Sequence, residues 1–155
     1  MRLHWIGLLT VCALIMGIGD AQAKAHRRLH RAPAQPPIVV VHIVISNQSM
    51  NVSVNGWPSG SWGVSTAGPR YHTPRGTFRV QRMAKVWFSR KYDNSPMPNS
   101  LFFNGGIAIH GTNHLRSIGH PMSHGCVRLL PENAAKLYAI VQENGPSRTQ
   151  IIVTD

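Results

Sequence analysis

Gly106-Ile107-Ala108-Ile109-His110-Gly111-Thr112 and Ser123-His124-Gly125-Cys126-Val127-Arg128-Leu129 are the two runs on which the reading of this chain turns. Gly105-Gly106 opens a short apolar segment, 107–109, that reads as a strand ending at His110. Cys126 follows 16 residues later, after a glycine-containing loop of the kind that can return a chain to an adjacent strand and set imidazole beside sulfur. A thiol at neutral pH is mostly protonated, whereas the thiolate is the nucleophile. Its activation needs a nearby base or positive group, most often a histidine. Gly125 frees the backbone just before the sulfur for close approach of a substrate. Backbone N–H groups around Gly125 and Cys126 then suit an oxyanion hole, worth about 3–4 kcal/mol per donor.

Upstream of these runs, residues 38–45 are apolar and β-branched, broken only by His42, and read as a largely buried strand. Met50, Val52 and Val54 alternate with polar residues up to Asn55-Gly56, a type I′ hairpin signal. Trp62, Val64 and Thr66 continue the alternation as the returning strand. Pro69, Pro74 and Gly76 punctuate a loop that leads into another short strand at 77–80. Residues 83–106 mix Trp87, Phe88, Tyr92, Phe102 and Phe103 with Pro96, Pro98 and Asn-rich turns, which leaves two readings open: a functional lid or a pair of strands. Downstream, Pro131 suits a first helical position and Glu132 a first turn. Ala134, Leu137, Tyr138 and Val141 recur at helical spacing until Asn144-Gly145 ends the run, and 151–153 supply a closing strand. No fixed-period repeat is visible. These elements predict a mainly β fold with one packed α-helix near the C-terminus.

The N-terminal segment reads as an export signal rather than as part of the fold. Arg2 gives a positive start, residues 5–18 form an apolar run, and Ala21-Gln22-Ala23 supplies a cleavage site. The run is shorter than the roughly 20 residues a membrane span needs, which favours a cleaved signal over an uncleaved anchor. The expected organisation is a signal peptide at 1–23, a basic Pro/Ala-rich linker at 24–37 and one catalytic domain at 38–155. Cys12 would leave with the signal, so Cys126 becomes the lone cysteine of an exported chain. There an unpaired thiol invites oxidation and calls for a reason, of which reactivity is one. The net charge of +11 in a periplasmic or envelope protein points to anionic envelope polymers or membrane headgroups and away from nucleic acid.

The run S-H-G-C-V-R-L, preceded by I-H-G-T, closely resembles the signature of the YkuD-type L,D-transpeptidase catalytic domain. Val64-Ser65-Thr66 with Gly68, and Thr73-Pro74-Arg75-Gly76-Thr77-Phe78, resemble the V-S-T-G and T-P-x-G-x-F segments of that family. The resemblance implies an L,D-transpeptidase-like β-sandwich acting on peptidoglycan stem peptides; separately, a monomer is expected. It also implies that Cys126 attacks the bond between diaminopimelate and D-alanine in a stem tetrapeptide. The acyl group then passes to an amine of another stem or of an envelope protein. By the same resemblance His110 is the base, oriented by the carbonyl of Gly111. Ser123, His124 and Gly125 form the oxyanion turn, and Arg128 binds a substrate carboxylate. No metal or organic cofactor is implied.

Two other classes compete. A zinc hydrolase has candidate ligands in His110, His114, His120, His124 and Cys126, but its context is glycine-rich rather than helical and no carboxylate stands near. A non-catalytic wall-binding module would draw its affinity from the basic charge and would not need Cys126.

Overall fold

The computed structural model describes residues 36–155. The expected signal peptide, with Cys12, and all but the last two residues of the expected linker lie outside the described residues.

Strand β1 (Val39–Val44) reads V-V-V-H-I-V and is apolar toward both faces, as befits a strand with neighbours on both sides. Val39, Val41 and Ile43 are fully buried, and the residues between them are half-buried. β2 (Ser49–Val54) turns back at Asn55-Gly56, whose φ values of +50° and +82° are the pair of positive angles a type I′ turn requires. β3 (Trp57–Gly63) starts directly after that turn and ends earlier than the alternation predicts, leaving Val64 and Thr66 beyond it. A bulge at Val52/Ser53 shifts the pairing. Val64 and Thr66 are nevertheless buried, because the chain leaves the sheet edge and crosses to the cysteine segment, where Ser65 bridges Arg128 and Ala67 bridges Ser123. β4 (Gly76–Arg79) lies at the other edge of a five-stranded sheet ordered β3-β2-β1-β11-β4, in which the C-terminal strand β11 (Thr149–Thr154) runs parallel to β1.

The region that leaves two sequence readings open holds four strands. β5 (Arg82–Ala84) and β8 (Ser100–Asn104) join β9 (Ile107–Gly111) and β10 (Val127–Leu129) in a second sheet ordered β10-β9-β8-β5. β6 (Phe88–Ser89) and β7 (Ser95–Pro96) form a small hairpin of their own. β8 escaped the sequence reading because residues 100–103 are all buried, which erases alternation. The two sheets share one apolar core with α1 (Pro131–Asn144), which carries Pro131 in its first turn and buries Ala134, Leu137 and Val141. Burial of Leu137 and of Val141 contributes roughly 1.5–3 kcal/mol each. Gly145, at φ +91°, closes the helix with an N–H donated to the Val141 carbonyl.

Candidate active site

β9 and β10 are adjacent and parallel, with Ile109 opposite Val127, His110 opposite Arg128 and Gly111 opposite Leu129. Side chains alternate along a strand, so the core-facing set Ile109, Val127 and Leu129 sends its neighbours to the opposite face. That face carries Ala108 and His110 from β9 and Arg128 from β10. Cys126, one residue before β10, continues it and packs against the small cluster of Met97, Phe102 and Ala108. Cys126 and His110 therefore belong to one face of one strand pair, with the sulfur 3.9 Å from the Gly106 carbonyl oxygen just before β9. His110 lies inside β9 rather than at its end, because the strand continues to Gly111.

The histidine is held in one tautomer. Its Nδ1 is 2.7 Å from the Gly111 carbonyl oxygen, which can only accept, so Nδ1 carries the proton and Nε2 is the free base. Gly111 has no room for a side chain: a Cβ there would come within 3.1 Å of Pro98 Cγ and 3.3 Å of Ala134 Cβ.

The turn before the sulfur is locked from several directions. Ser123 is buried; its hydroxyl donates to the Cys126 carbonyl and accepts the Gly125 N–H at 3.0 Å. The Ser123 N–H donates to the Thr66 carbonyl, and its carbonyl accepts the Gly68 N–H. The expected oxyanion donor at Gly125 is thus engaged within the turn, while the Cys126 N–H has no partner among the described residues. Gly125 takes φ +130° with its Cβ position 2.9 Å from Ile107 Cδ1 and 3.1 Å from the His72 carbonyl oxygen.

Thr73 is a residue the sequence reading quoted without a role. It is buried, its hydroxyl donates to the Gly125 carbonyl at 2.9 Å, and the same oxygen accepts the Ala67 N–H at 3.0 Å. Gln48 does similar work one layer back, accepting the Thr66 N–H and donating to the Thr66 hydroxyl. The T-P segment was the signal for Thr73; Gln48 left none, since one glutamine in a turn is ordinary. His124 has its side chain elsewhere than the thiol: its imidazole contacts the rings of Tyr71 and Tyr92. Among the described residues no group of three His, Cys, Asp or Glu side chains is arranged to hold a metal ion, so the candidate zinc ligands do not converge.

Burial sets the protonation of the pair. It pushes the Cys126 thiol above its ordinary value, against opposing effects of the Ala108 backbone and the Arg128 guanidinium. It lowers His110 to about 4; the Gly111 carbonyl works the other way, and the Arg128 charge adds to the lowering. At neutral pH the resting site holds a neutral thiol and a neutral imidazole. Arg128 is half-buried, and among the described residues it has no carboxylate partner, since Arg75–Asp155 is the ion pair they contain.

The His110 shift links stability to pH. The unfolded histidine takes its proton near 6.5 and the folded one near 4, so between these values the unfolded state binds more protons. Stability therefore rises with pH across that window, and acidification costs about 3 kcal/mol. Urea midpoints should fall from pH 7 to pH 4, with that part of the slope removed in His110→Gln; a wild-type midpoint flat across the window would contradict the burial of this imidazole.

The family profile of the L,D-transpeptidase catalytic domain, YkuD, matches residues 38–153. An L,D-transpeptidase from Mycobacterium smegmatis is 26% identical with a TM-score of 0.67, covering 77% of this chain and 59% of its own. An L,D-transpeptidase from Stackebrandtia nassauensis is 25% identical with a TM-score of 0.67, covering 86% of this chain and 64% of its own. L,D-transpeptidase 3 from Mycobacterium tuberculosis, in complex with a faropenem-derived adduct, shares the fold at 22% identity, with a TM-score of 0.67 and coverages of 77% and 61%. The chain thus spans less than two thirds of the length of each of these structures. Comparison with curated protein sequences returns no match.

Proposed function

Since the chain belongs to the YkuD family of L,D-transpeptidase catalytic domains, we propose that it is an exported peptidoglycan L,D-transpeptidase whose nucleophile is Cys126. His110 Nε2 takes the thiol proton as sulfur attacks the carbonyl between diaminopimelate and the terminal D-alanine of a stem tetrapeptide. The carbonyl oxygen becomes an oxyanion facing the Cys126 N–H. Collapse breaks the C–N bond, the imidazolium returns its proton to the leaving amine, and D-alanine departs, leaving a thioester. An amine of a second stem, or of an envelope protein, attacks next; His110 takes its proton and returns it to sulfur. Ser123 and Gly125 hold the turn, and Arg128 meets a substrate carboxylate.

The observation that carries this reading is the placement of Cys126, His110 and Arg128 on one face of one strand pair, with Nδ1 held by the Gly111 carbonyl. Residues 1–23 would direct export and 24–37 would tether or attract the domain to anionic wall material, leaving 38–155 as the catalytic unit.

A β-lactam of the carbapenem class should acylate the same sulfur, because its strained amide presents a carbonyl to the nucleophile. Incubation should raise the protein mass by one intact drug molecule, mapped to the peptide containing Cys126. An unmodified mass counts against a competent thiol.

A further inference from the structure

The β6–β7 hairpin pairs two residues with two and joins no other strand, and so short a ladder does not hold itself in place in water. Its root is tied down. The Met97 N–H donates to the Trp87 carbonyl and the Asn99 N–H to the Lys85 carbonyl. The Arg82 guanidinium stacks on Trp87 and Phe102, at 4.2 and 3.7 Å from their ring centroids. Met97 and Trp87 rest on the cluster that includes Cys126, so the hairpin covers the face that carries the sulfur.

The tip, residues 90–94, has among the described residues no backbone hydrogen bond outside the hairpin. What holds it is Tyr92, whose ring lies parallel to the His124 imidazole with centroids 4.3 Å apart and planes 11° apart. Tyr71 meets the same imidazole edge-on, at 4.4 Å and 88°. That imidazole projects from the turn locked by Ser123 and Gly125, two residues before Cys126. It makes no hydrogen bond among the described residues. We infer that His124 is a positioning residue, the post to which Tyr92 fastens the hairpin tip over the cysteine, and that its ring rather than its proton matters. This assignment rests on the reading of Cys126 as the nucleophile for its bearing on turnover, but not for the contact itself.

Trypsin reads the contact directly. Arg90 and Lys91 are exposed in the tip, yet a protease must lift the tip away to cut there, so nicking tracks the population of the open hairpin. One aromatic pair shifts such an equilibrium by about two- to tenfold, and lifting the tip breaks the Tyr92 pair, so His124→Ala should speed cleavage after Arg90 or Lys91 by about fivefold. Tyr92→Ala, on an exposed turn, should speed it by about fivefold and stands in should His124→Ala fold poorly. His124→Phe keeps a ring without a titrating proton and should recover the protection. In turnover of a stem tetrapeptide, KM should rise in both alanine variants and return toward the wild-type value in His124→Phe.

Nicking of both alanine variants at the wild-type rate overturns the assignment. So does a His124→Phe protein that protects its tip but turns over no better than His124→Ala, since the imidazole proton would then belong to the chemistry. Repeating the nicking in a Cys126→Ala background separates this idea from the proposed reaction, because cleavage is scored without turnover.

Discussion

Cys126→Ala is expected to abolish D-alanine release from a diaminopimelate-containing stem tetrapeptide, a fall of at least about 10⁴-fold in kcat. The size follows from what is removed. With no sulfur there is no acyl-enzyme, and the neutral His110 base is left beside a methyl group. Stability should hardly move, since Cys126 is only partly buried and alanine is a smaller, compatible occupant. Thermal melting of the variant therefore serves as the control that separates lost chemistry from lost fold. Mass spectrometry should find no thioester and no β-lactam adduct. Release at more than about one per cent of the wild-type rate would sink the assignment of Cys126 as the nucleophile, whereas no release by the wild type itself would favour the non-catalytic wall-binding reading.

Gly125→Ala is expected to cost about 2–4 kcal/mol of stability and about 100-fold in kcat/KM. The glycine sits at φ +130°, a conformation L residues avoid, so any side chain strains the backbone there. Added to that, the new methyl would lie 2.9 Å from Ile107 Cδ1 and 3.1 Å from the His72 carbonyl oxygen. The isoleucine end can rotate, but the His72 backbone cannot, so the turn itself must shift and carry the sulfur with it. Displacing a reacting group by an ångström is enough for the activity loss. The melting temperature should drop by about 10 °C, and the β-lactam adduct should form far more slowly. Gly105→Ala is the matched control: its φ is also positive, at +56°, but nothing lies within 4 Å, so only about 1 kcal/mol of backbone strain is expected. Equal melting curves for wild type and Gly125→Ala would refute the argument.

Much of this molecule is legible before any coordinates. The Asn55-Gly56 turn, β1 and the helix from Pro131 to Asn144 all announce themselves through local rules: positive-φ residues, β-branched runs, a proline at a first turn. Local rules failed where burial on both faces or a change of partner intervened. β8 hides its alternation inside the second sheet. The chain past β3 leaves its hairpin partner to bridge the cysteine segment through Ser65 and Ala67. Thr73 and Gln48 reach the site across 52 and 18 residues of sequence, and a hydrogen bond of that range has no local pattern.

The proposed reacting groups were legible in residue type and spacing, because thiol, imidazole and a flexible glycine are chemical requirements that do not depend on the rest of the chain. Their protonation and reach were not. Burial of His110 and Cys126, the engagement of the Gly125 N–H by Ser123, and the meeting of Tyr71, Tyr92 and His124 arise from segments distant in sequence packing together. Desolvation and close contact are properties of the packed arrangement, and no stretch of ten or twenty residues carries them.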